Sequence, residues 1–242
     1  MERRDLPAAL LAVAAGAAVS RPGAALAQSA GVSGALIGPP LILTGTGTYT
    51  PSAGATAIYV LLIGGGGGSG GAEFASHGSA SGGSGAGGIC MRYITPLAER
   101  YGFFCGAGGA GGAAGAHDGS PGGVTRFSGE GIATLAAAGG AYSPGTRGGT
   151  VVGRVEADGN ADSSNGDVNL PQRSGTPGFS LIGHFVAGSG GSNPYGVGPP
   201  GALSRALSGK GFGAGASGAA AAARSTPGAA GTDGAVLVWE YR

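Results

Sequence analysis

The pattern of hydrophobic and polar positions predicts short β-strands separated by long glycine-rich segments. Six consecutive apolar residues, 58–63, end at Gly64 and are typical of a strand that is buried on both faces. Residues 235–242 alternate, which predicts a closing strand. One face carries Val236, Val238 and Glu240, and the other carries Leu237, Trp239 and Tyr241. We expect the first and last strands to pair in one sheet, which would hold both ends of the glycine-rich middle.

Further strands are predicted where shorter apolar or alternating segments occur. They are expected over residues 41–50, 89–95, 101–105, 122–128 and 132–137, with an apolar island at 179–187. Residues 96–100 would join the second and third of these as a hairpin, with Cys90 opposite Cys105. Opposed Cβ atoms in an antiparallel pair lie about 4.5–5.5 Å apart, just above the spacing that a disulfide prefers. Two interpretations therefore stay open, a disulfide or two small buried thiols.

The glycine runs show a three-residue period, most clearly over residues 106–116. One register is glycine throughout, at 106, 109, 112 and 115, and a second is alanine, at 107, 110, 113 and 116. This period belongs to a polyproline-II type helix, which has about three residues per turn and no internal hydrogen bonds. Its backbone groups need partners from neighbouring segments. We therefore expect residues 106–116 to form one rod among similar rods, with the same spacing at 64/67/70 and 82/85/88.

Composition narrows the fold class further. The chain has 58 Gly in 242 residues, yet 42% of it is hydrophobic and only 10% is charged, which does not fit a disordered chain. The glycine period is too short for collagen. The net charge of +1 gives no indication of a nucleic-acid partner. The prediction is an all-β fold, in which short antiparallel strands frame packed polyglycine-II-like segments.

Three parts are predicted along the chain. Residues 1–28 form an apolar, helical, leader-like segment, in which Arg3-Arg4 precedes an apolar run and Ala25-Leu26-Ala27 resembles a cleavage site. This segment is either an export signal or a docking helix that is kept in a virion. Residues 29–40 are a predicted linker, stiffened by two prolines, and residues 41–242 are the glycine-rich β domain.

No motif in the chain indicates catalysis, a cofactor or a metal. The match Gly106-x-Gly108-x-x-Gly111 has no following helix and is expected by chance in a chain this rich in glycine. The polar segment at 158–162 begins like an EF-hand loop but lacks its glycine and its bidentate glutamate, so a solvated loop is favoured. His77, His117 and His184 lie far apart and have no second ligand at metal spacing. We therefore expect a protein that is not an enzyme.

Several stretches together resemble the glycine-rich tail-fibre and adhesin-like virion proteins of tailed bacteriophages and prophages. The similar segments, in order, are TGTGTYTP at 44–51, IYVLLIGGGGG at 58–68, GGICMR at 87–92, GAGGAGGAAG at 106–115, GGVTRF at 122–127, GDVNLP at 166–171, GGSNPYG at 190–196 and GTDGAVLVWEY at 231–241. The likeness covers residues 44–242, and its specificity comes from the order of the segments and from the closing strand.

The resemblance implies a virion structural protein on the exterior of the tail, a tail fibre or receptor-binding component. Its implied partners are other tail proteins, identical copies in a homo-oligomer (a trimer being favoured), and a host receptor or polysaccharide. The alternatives are a secreted bacterial surface adhesin and a capsid decoration or head-fibre protein. The expected host contacts are aromatic and polar residues in the glycine-rich excursions: Phe74, His77, Tyr142, His184, Tyr195 and Phe212, with Phe179 and Phe185 expected rather to fill gaps in the core.

Overall fold

A computed structural model describes residues 34–155, 162–181 and 183–242. Within these ranges the chain is all-β and contains no helix, so none of the described residues lies in a helix that could cross a membrane. The predicted leader over 1–28 lies outside the described residues. The predicted linker is described from residue 34, and there residues 35–37 hydrogen-bond to the end of the closing strand.

The described strands form two larger sheets and several small ones. In chain order they are β1 (Leu41–Leu43), β2 (Thr46–Tyr49), β3 (Ala57–Ile63), β4 (Ser79–Ala80), β5 (Ile89–Ile94), β6 (Tyr101–Phe104), β7 (Thr125–Gly129), β8 (Leu135–Ala137), β9 (Val152–Gly153), β10 (Val168–Leu170), β11 (Gly178–Leu181), β12 (His184–Val186), β13 (Gly196–Val197), β14 (Lys210–Gly211), β15 (Ala220–Ala221) and β16 (Ala235–Tyr241). One sheet has the order β1-β16-β3-β5-β10 and another has the order β2-β6-β7-β8.

These two sheets pack face to face as a small sandwich around one apolar core. The inward face of β3 contributes Ile58, Val60 and Leu62, all with no exposed surface, and that of β16 contributes Val236 and Val238. Aromatic rings from the four-stranded sheet fill the other side. Tyr101 and Phe127 stack with their centroids 4.9 Å apart, within the range that aromatic pairs prefer.

The strand predictions for the two ends of the chain are confirmed. β16 pairs with β1 on one side and with β3 on the other, so the first and last strands share a sheet. Leu61 and Ile63, on the outer face of β3, are as buried as its inner face, because Phe212 and Trp239 pack over them. Burial on both faces explains why the sequence of β3 is continuously apolar.

Two strand predictions are wrong. The expected single strand over 41–50 is two strands in different sheets, separated at Gly45, whose φ of +74° turns the chain. The expected hairpin of 89–95 with 101–105 does not form. β5 instead pairs with β3 and β10, while β6 pairs with β2 and β7 in the opposite sheet. β5 carries apolar residues on both faces, and it is buried more completely between β3 and β10 than it would be in a local two-stranded hairpin.

The two cysteines are buried free thiols on the walls of the same core. Cys90 lies on β5, and Cys105 follows β6 in the facing sheet. Burial raises the pKa of the Cys90 thiol to about 11 and also raises that of Cys105. Since the thiolate is the nucleophile, both groups are held in their unreactive form. The sequence left two interpretations open, a disulfide or two small buried thiols, and the structure contains the two buried thiols.

We predict that a thiol reagent will label neither cysteine in the native protein at neutral pH. Both should react after unfolding in denaturant without a reducing agent, and an absorbance titration with a chromogenic aromatic disulfide would count two thiols. A count of zero under those conditions would mean a disulfide and would contradict this arrangement.

Glu240 joins the two sheets through a nearly buried carboxylate at the end of β16. Its Oε1 accepts hydrogen bonds from the Tyr49 hydroxyl and from the Ser52 N–H, the latter at 2.9 Å. Burial raises the pKa of the Glu240 carboxyl, but the hydrogen bonds from Ser52 and Tyr49 outweigh it, so this pKa lies below its ordinary value.

A lowered folded-state pKa makes the contribution of Glu240 depend on pH. The stabilisation is fully present above the unfolded pKa of about 4.3 and is lost as pH falls through the folded value. We therefore expect thermal unfolding to show a lower Tm below about pH 4 than at pH 6. Glu240→Gln should reduce this difference, whereas Glu99→Gln, an exposed control, should leave it unchanged. Equal pH dependence in both variants would contradict the assignment.

Beyond the sandwich, the glycine-rich runs form extended rods that pack side by side. We call the segments 64–72, 79–88, 106–113, 117–123, 138–146, 213–221 and 226–234 the rods, and the body that they form the lattice. Rod 64–72 is the central one. Its N–H groups at 65, 68 and 71 donate to the carbonyls of 123, 120 and 117, and those at 66, 69 and 72 donate to 232, 229 and 226. The three-residue step is that of a polyproline-II type helix.

The carbonyls of the central rod follow the same period. Those of 65, 68 and 71 accept from the N–H groups of 140, 143 and 146, and those of 66 and 69 accept from 109 and 112. The third register bonds to rod 79–88, where the Gly67 N–H donates to Gly85. Five rods therefore hydrogen-bond to one central rod, and packed glycine-rich segments replace an ordinary core in this part of the molecule.

The run at 106–116 is a rod as far as residue 113 and turns at 114–116, so its predicted extent is three residues too long. Its glycines at 106, 109 and 112 are buried, and its alanines at 107, 110 and 113 are exposed. The glycine register faces other rods and the alanine register faces solvent. This division explains why the two residue types alternate with a period of three.

Buried serine hydroxyls bond to those backbone N–H and C=O groups of the rods that have no backbone partner. Ser84 Oγ donates to the Gly67 carbonyl at 2.6 Å and accepts from the Ala216 N–H at 2.8 Å. Three residues earlier, Ser81 Oγ makes the same bridge between Gly70 and Ala219. Each hydroxyl satisfies one buried donor and one buried acceptor. These serines are structural members of the lattice.

Candidate binding surface at the distal end

Each rod has one end at the same edge of the sandwich. The Gly64 N–H donates to Gly88, the Gly88 N–H donates to Ala138, and the Gly234 N–H donates to Gly106. The turns between rods must therefore meet at the far end. We call the segments 73–78, 114–118, 146–151, 178–186, 203–206 and 222–225 the distal loops, and the surface that they form the distal end. The sandwich forms the proximal end.

Hydrogen bonds fix the distal loops to the lattice and to one another. The Glu73 N–H donates to Thr146, and the Gly149 N–H donates to Gly78. The Ser79 hydroxyl donates to the carbonyls of both Glu73 and Thr146, at 2.7 and 3.1 Å. Loops that are distant in sequence are thus held in a defined arrangement on a rigid support.

A small antiparallel sheet at the distal end exposes an apolar face. It has the order β12-β11-β9, and Gly183, with φ +79°, lies in the turn between β11 and β12. Directly paired residues share one face, and the pairs are Phe179 with Val186, Leu181 with His184 and Phe179 with Val152. All five side chains are exposed, including 62% of Leu181. We call these five residues the distal apolar face.

The opposite face of the same sheet packs on the lattice. Phe185 lies on this face and contacts the cluster of Ala80, Ala187 and Ala220, which fixes the sheet in place. Phe185 therefore fills a gap, as expected, whereas Phe179, for which the same was expected, is 46% exposed on the distal apolar face. An apolar face supported from behind but open to solvent is typical of an interaction surface.

A cleft of about 480 Å³ lies between this sheet and the loop 73–78. Its walls include Phe74, Val151 and Phe185 as apolar groups and Ser76, His77 and Ser180 as polar groups. Phe74 is 37% exposed and His77 is exposed. The combination of aromatic surface with hydroxyl and imidazole groups can hold an amphipathic ligand such as a sugar or a peptide side chain.

The six predicted contact residues fall in three places. Phe74, His77 and His184 lie on the distal end. Tyr142 is half-buried on the flank of the lattice, in a second cleft. Tyr195 and Phe212 lie at the proximal end of the lattice, joined by a hydrogen bond from the Phe212 N–H to the Tyr195 carbonyl. Phe212 also packs over the outer face of the five-stranded sheet.

Sequence reasoning missed Val152, Leu181 and Val186 on the distal apolar face. The signal that could have found two of them is the alternation on either side of Gly183, which resembles a hairpin more than a single island. Val152 carried no such signal, because it joins the face only through its pairing with Phe179.

Several groups in the sandwich have shifted pKa values: burial raises the pKa of Tyr49, Tyr59, Cys90 and Cys105, whereas hydrogen bonds outweigh burial and lower the pKa of Glu240. No group of His, Cys, Asp and Glu within the described ranges could hold a metal ion. Of the EF-hand-like segment, residues 158–161 lie outside those ranges.

Comparison with known families identifies a matching family. A family model described as a glycine-rich domain matches residues 42–241, a range that contains all the rods and, except for Leu41, both large sheets. A comparison with curated proteins finds no match.

Proposed function

The chain belongs to the glycine-rich domain family, and we propose that it is a bacteriophage tail-fibre or adhesin-like virion protein that binds the host surface with its distal end. The observation that carries this proposal is the distal apolar face, supported by the lattice and open to solvent. A contiguous exposed apolar patch on a folded protein is typical of an interaction site.

The lattice suits a protein that must present loops rigidly outside a particle. Its hydrogen bonds tie each rod to several neighbours, so few backbone groups are left to fray. Loops on a rigid scaffold can change in sequence without changing the scaffold. A rigid support also lowers the entropy that is lost when the loops bind a receptor.

The proximal end is proposed to attach to other tail proteins and to identical copies. One row of side chains crosses the outer face of the five-stranded sheet in register: Ile42, Leu237, Leu61, Met91 and Val168. The two edge residues of this row, Ile42 and Val168, are 57% and 45% exposed. Leu61 and Leu237 in the middle of the row are buried beneath Phe212 and Trp239, so the exposed apolar surface lies at the two edges. An antiparallel sheet normally turns polar residues to solvent, and these apolar edges favour association at the end opposite to the distal loops.

The alternative function is a secreted bacterial surface adhesin, favoured by the leader-like signature at 1–28. It would use the same distal end on a different partner surface. Intact-mass measurement on native material separates the two proposals. Retention of the leader supports virion docking, and loss of residues 1–27 supports export.

A cell-binding experiment with the full chain tests the role of the distal end. Fluorescently labelled protein is titrated onto cells of the strain in which the particles multiply. The double variant Phe179→Ser/Leu181→Ser should lose binding by about tenfold or more, the equivalent of about 1.4 kcal/mol. The control Ile42→Ser/Val168→Ser, at the proximal end, should bind as the parent does. If the distal variant has an unchanged Tm and binds as the parent does, the proposal is wrong.

A further inference from the structure

We propose that the distal end recognises anionic groups of a cell-surface polysaccharide, phosphate or carboxylate, through two pairs of arginines that flank two separate clefts. This inference rests on the proposed function and names the class of ligand that the distal end would take. The arginines are Arg147 and Arg154 at one cleft and Arg205 and Arg224 at the other.

The first cleft runs from the distal end down the flank of the lattice and has a volume of about 360 Å³. Arg147 and Arg154 line it, together with the hydroxyl-bearing side chains of Tyr142 and Thr150. Both arginines are exposed, and Tyr142 is half-buried. The cleft thus combines two cations with hydroxyl donors, which is the donor set that an oxyanion on a sugar requires.

The second cleft lies on the distal loops 203–206 and 222–225 and has a volume of about 320 Å³. Arg205 and Arg224 line it with Ser204 and Thr226, of which the Thr226 hydroxyl donates to the Ala220 carbonyl at 2.9 Å. Its floor consists of alanines, which leaves the guanidinium groups as the dominant polar feature. The two clefts therefore share one chemistry although they come from different parts of the chain.

Two of the carboxylates that the structure describes near these arginines accept hydrogen bonds from the backbone and keep their negative charge. Asp118, which lines the first cleft, accepts a hydrogen bond at Oδ1 from the Gly145 N–H at 2.8 Å. Glu73 accepts at Oε2 from the Gly148 N–H at 3.1 Å. Within the part of the chain that the structure describes, none of the four guanidinium groups has an ion-pair or hydrogen-bond partner. The lining of the first cleft therefore carries two guanidinium groups and one carboxylate, and that of the second carries two guanidinium groups and no carboxylate, so both linings have a net positive charge.

The chemistry and the size of the clefts favour a polysaccharide. Arginine binds phosphate and carboxylate through a planar fork of N–H donors, often at two points. Each cleft has room for one or two sugar units, and the pairs are separate rather than joined in a basic track. A nucleic acid would need a continuous basic patch, which the net charge of +1 does not supply. Anionic sugars displayed at intervals on a cell surface fit two separate sites.

The test measures binding of the full chain to purified lipopolysaccharide from the host strain, immobilised on a sensor. One arm removes phosphate groups with hydrofluoric acid, and a second arm reduces carboxyl groups, so the arms separate the two sources of negative charge. We expect one of these treatments to weaken binding about tenfold or more. Arg147→Gln/Arg154→Gln and Arg205→Gln/Arg224→Gln should each weaken binding to the untreated material to a similar degree. Raising the salt concentration should weaken it further.

A matched control removes two exposed arginines at the proximal end, Arg100→Gln/Arg126→Gln. It lowers the net charge equally and should leave binding unchanged. The inference is overturned if distal and control variants bind alike, if neither treatment matters, if the lipopolysaccharide does not bind, or if the arginine pairs bind duplex DNA more tightly than the polysaccharide. If the protein still binds cells through the distal apolar face in those cases, the proposed function stands. If all cell binding is lost, both the inference and the proposed function fail.

Discussion

Replacing Gly109 by valine should destabilise the domain by at least about 2 kcal/mol, because no side chain fits at that position. Gly109 is buried where rod 106–113 meets two neighbours. A Cβ there would overlap the Ser120 carbonyl oxygen and would lie 2.7 Å from the Gly68 nitrogen. Both are backbone atoms, which cannot move aside as a flexible side chain can. The rods would have to separate and lose the hydrogen bond from the Gly109 N–H to Gly66.

The matched control is Ala110→Val, one residue further along the same rod. Ala110 is exposed, so the added methyl groups enter solvent and the expected change is within about 0.5 kcal/mol. Chemical denaturation with both variants measures the difference. If Gly109→Val unfolds at the same denaturant concentration as Ala110→Val, the inward direction of the glycine register is wrong.

The second large effect is expected for Ser84→Ala, which removes a bridging hydroxyl from inside the lattice. The Ala216 N–H would lose its acceptor and the Gly67 carbonyl would lose its donor, and both groups are buried. A buried polar group left without a partner costs about 1–3 kcal/mol, so the two together should cost about 2–6 kcal/mol. The substitution removes a single oxygen atom, so steric effects are small.

Ser208→Ala provides the control, since Ser208 is exposed on the flank of the lattice. Its free energy of unfolding should stay within about 0.5 kcal/mol of the parent. A Ser84→Ala variant as stable as the Ser208→Ala variant would mean that the hydroxyl bridge does not hold the rods together.

The sequence predicts the lattice because its signal is local. The three-residue period at 106–116 needs only the printed order of glycine and alanine, and the buried and exposed registers follow it as far as residue 113. The turn at 114–116 could not be predicted from the period, since Gly115 continues the glycine register. Its φ of +111° departs from a polyproline-II conformation, and only the fold requires this change of direction.

Strand partners were harder to predict than the strands themselves. The short connection at 96–100 favoured a hairpin, but its local advantage is small beside the burial of both faces of β5 within the five-stranded sheet. Pairing between distant segments depends on total burial, which a sequence window does not contain. The same limit applies to Cys90 and Cys105, whose surroundings follow from the packing of two sheets.

The distal end was predicted only in part for a related reason. Phe74, His77 and His184 were recognisable as large or polar side chains within glycine-rich or apolar surroundings. That they share one end, and that Tyr195 and Phe212 lie at the other, follows from the direction of each rod relative to the sandwich. The rods all leave one edge of the sandwich, so their turns converge, and this convergence brings together residues from 73 to 225.

Native-state hydrogen exchange followed by NMR tests the central claim, that the glycine runs form a hydrogen-bonded lattice which supports the distal loops. The N–H groups of Gly66, Gly67 and Gly68 donate to three different rods. They should exchange only through global unfolding, as slowly as the amides of β3. The amide of the exposed Gly183 in the distal turn should exchange much faster. Exchange of Gly66, Gly67 and Gly68 at the rate of an unstructured chain would contradict the lattice and the function built on it.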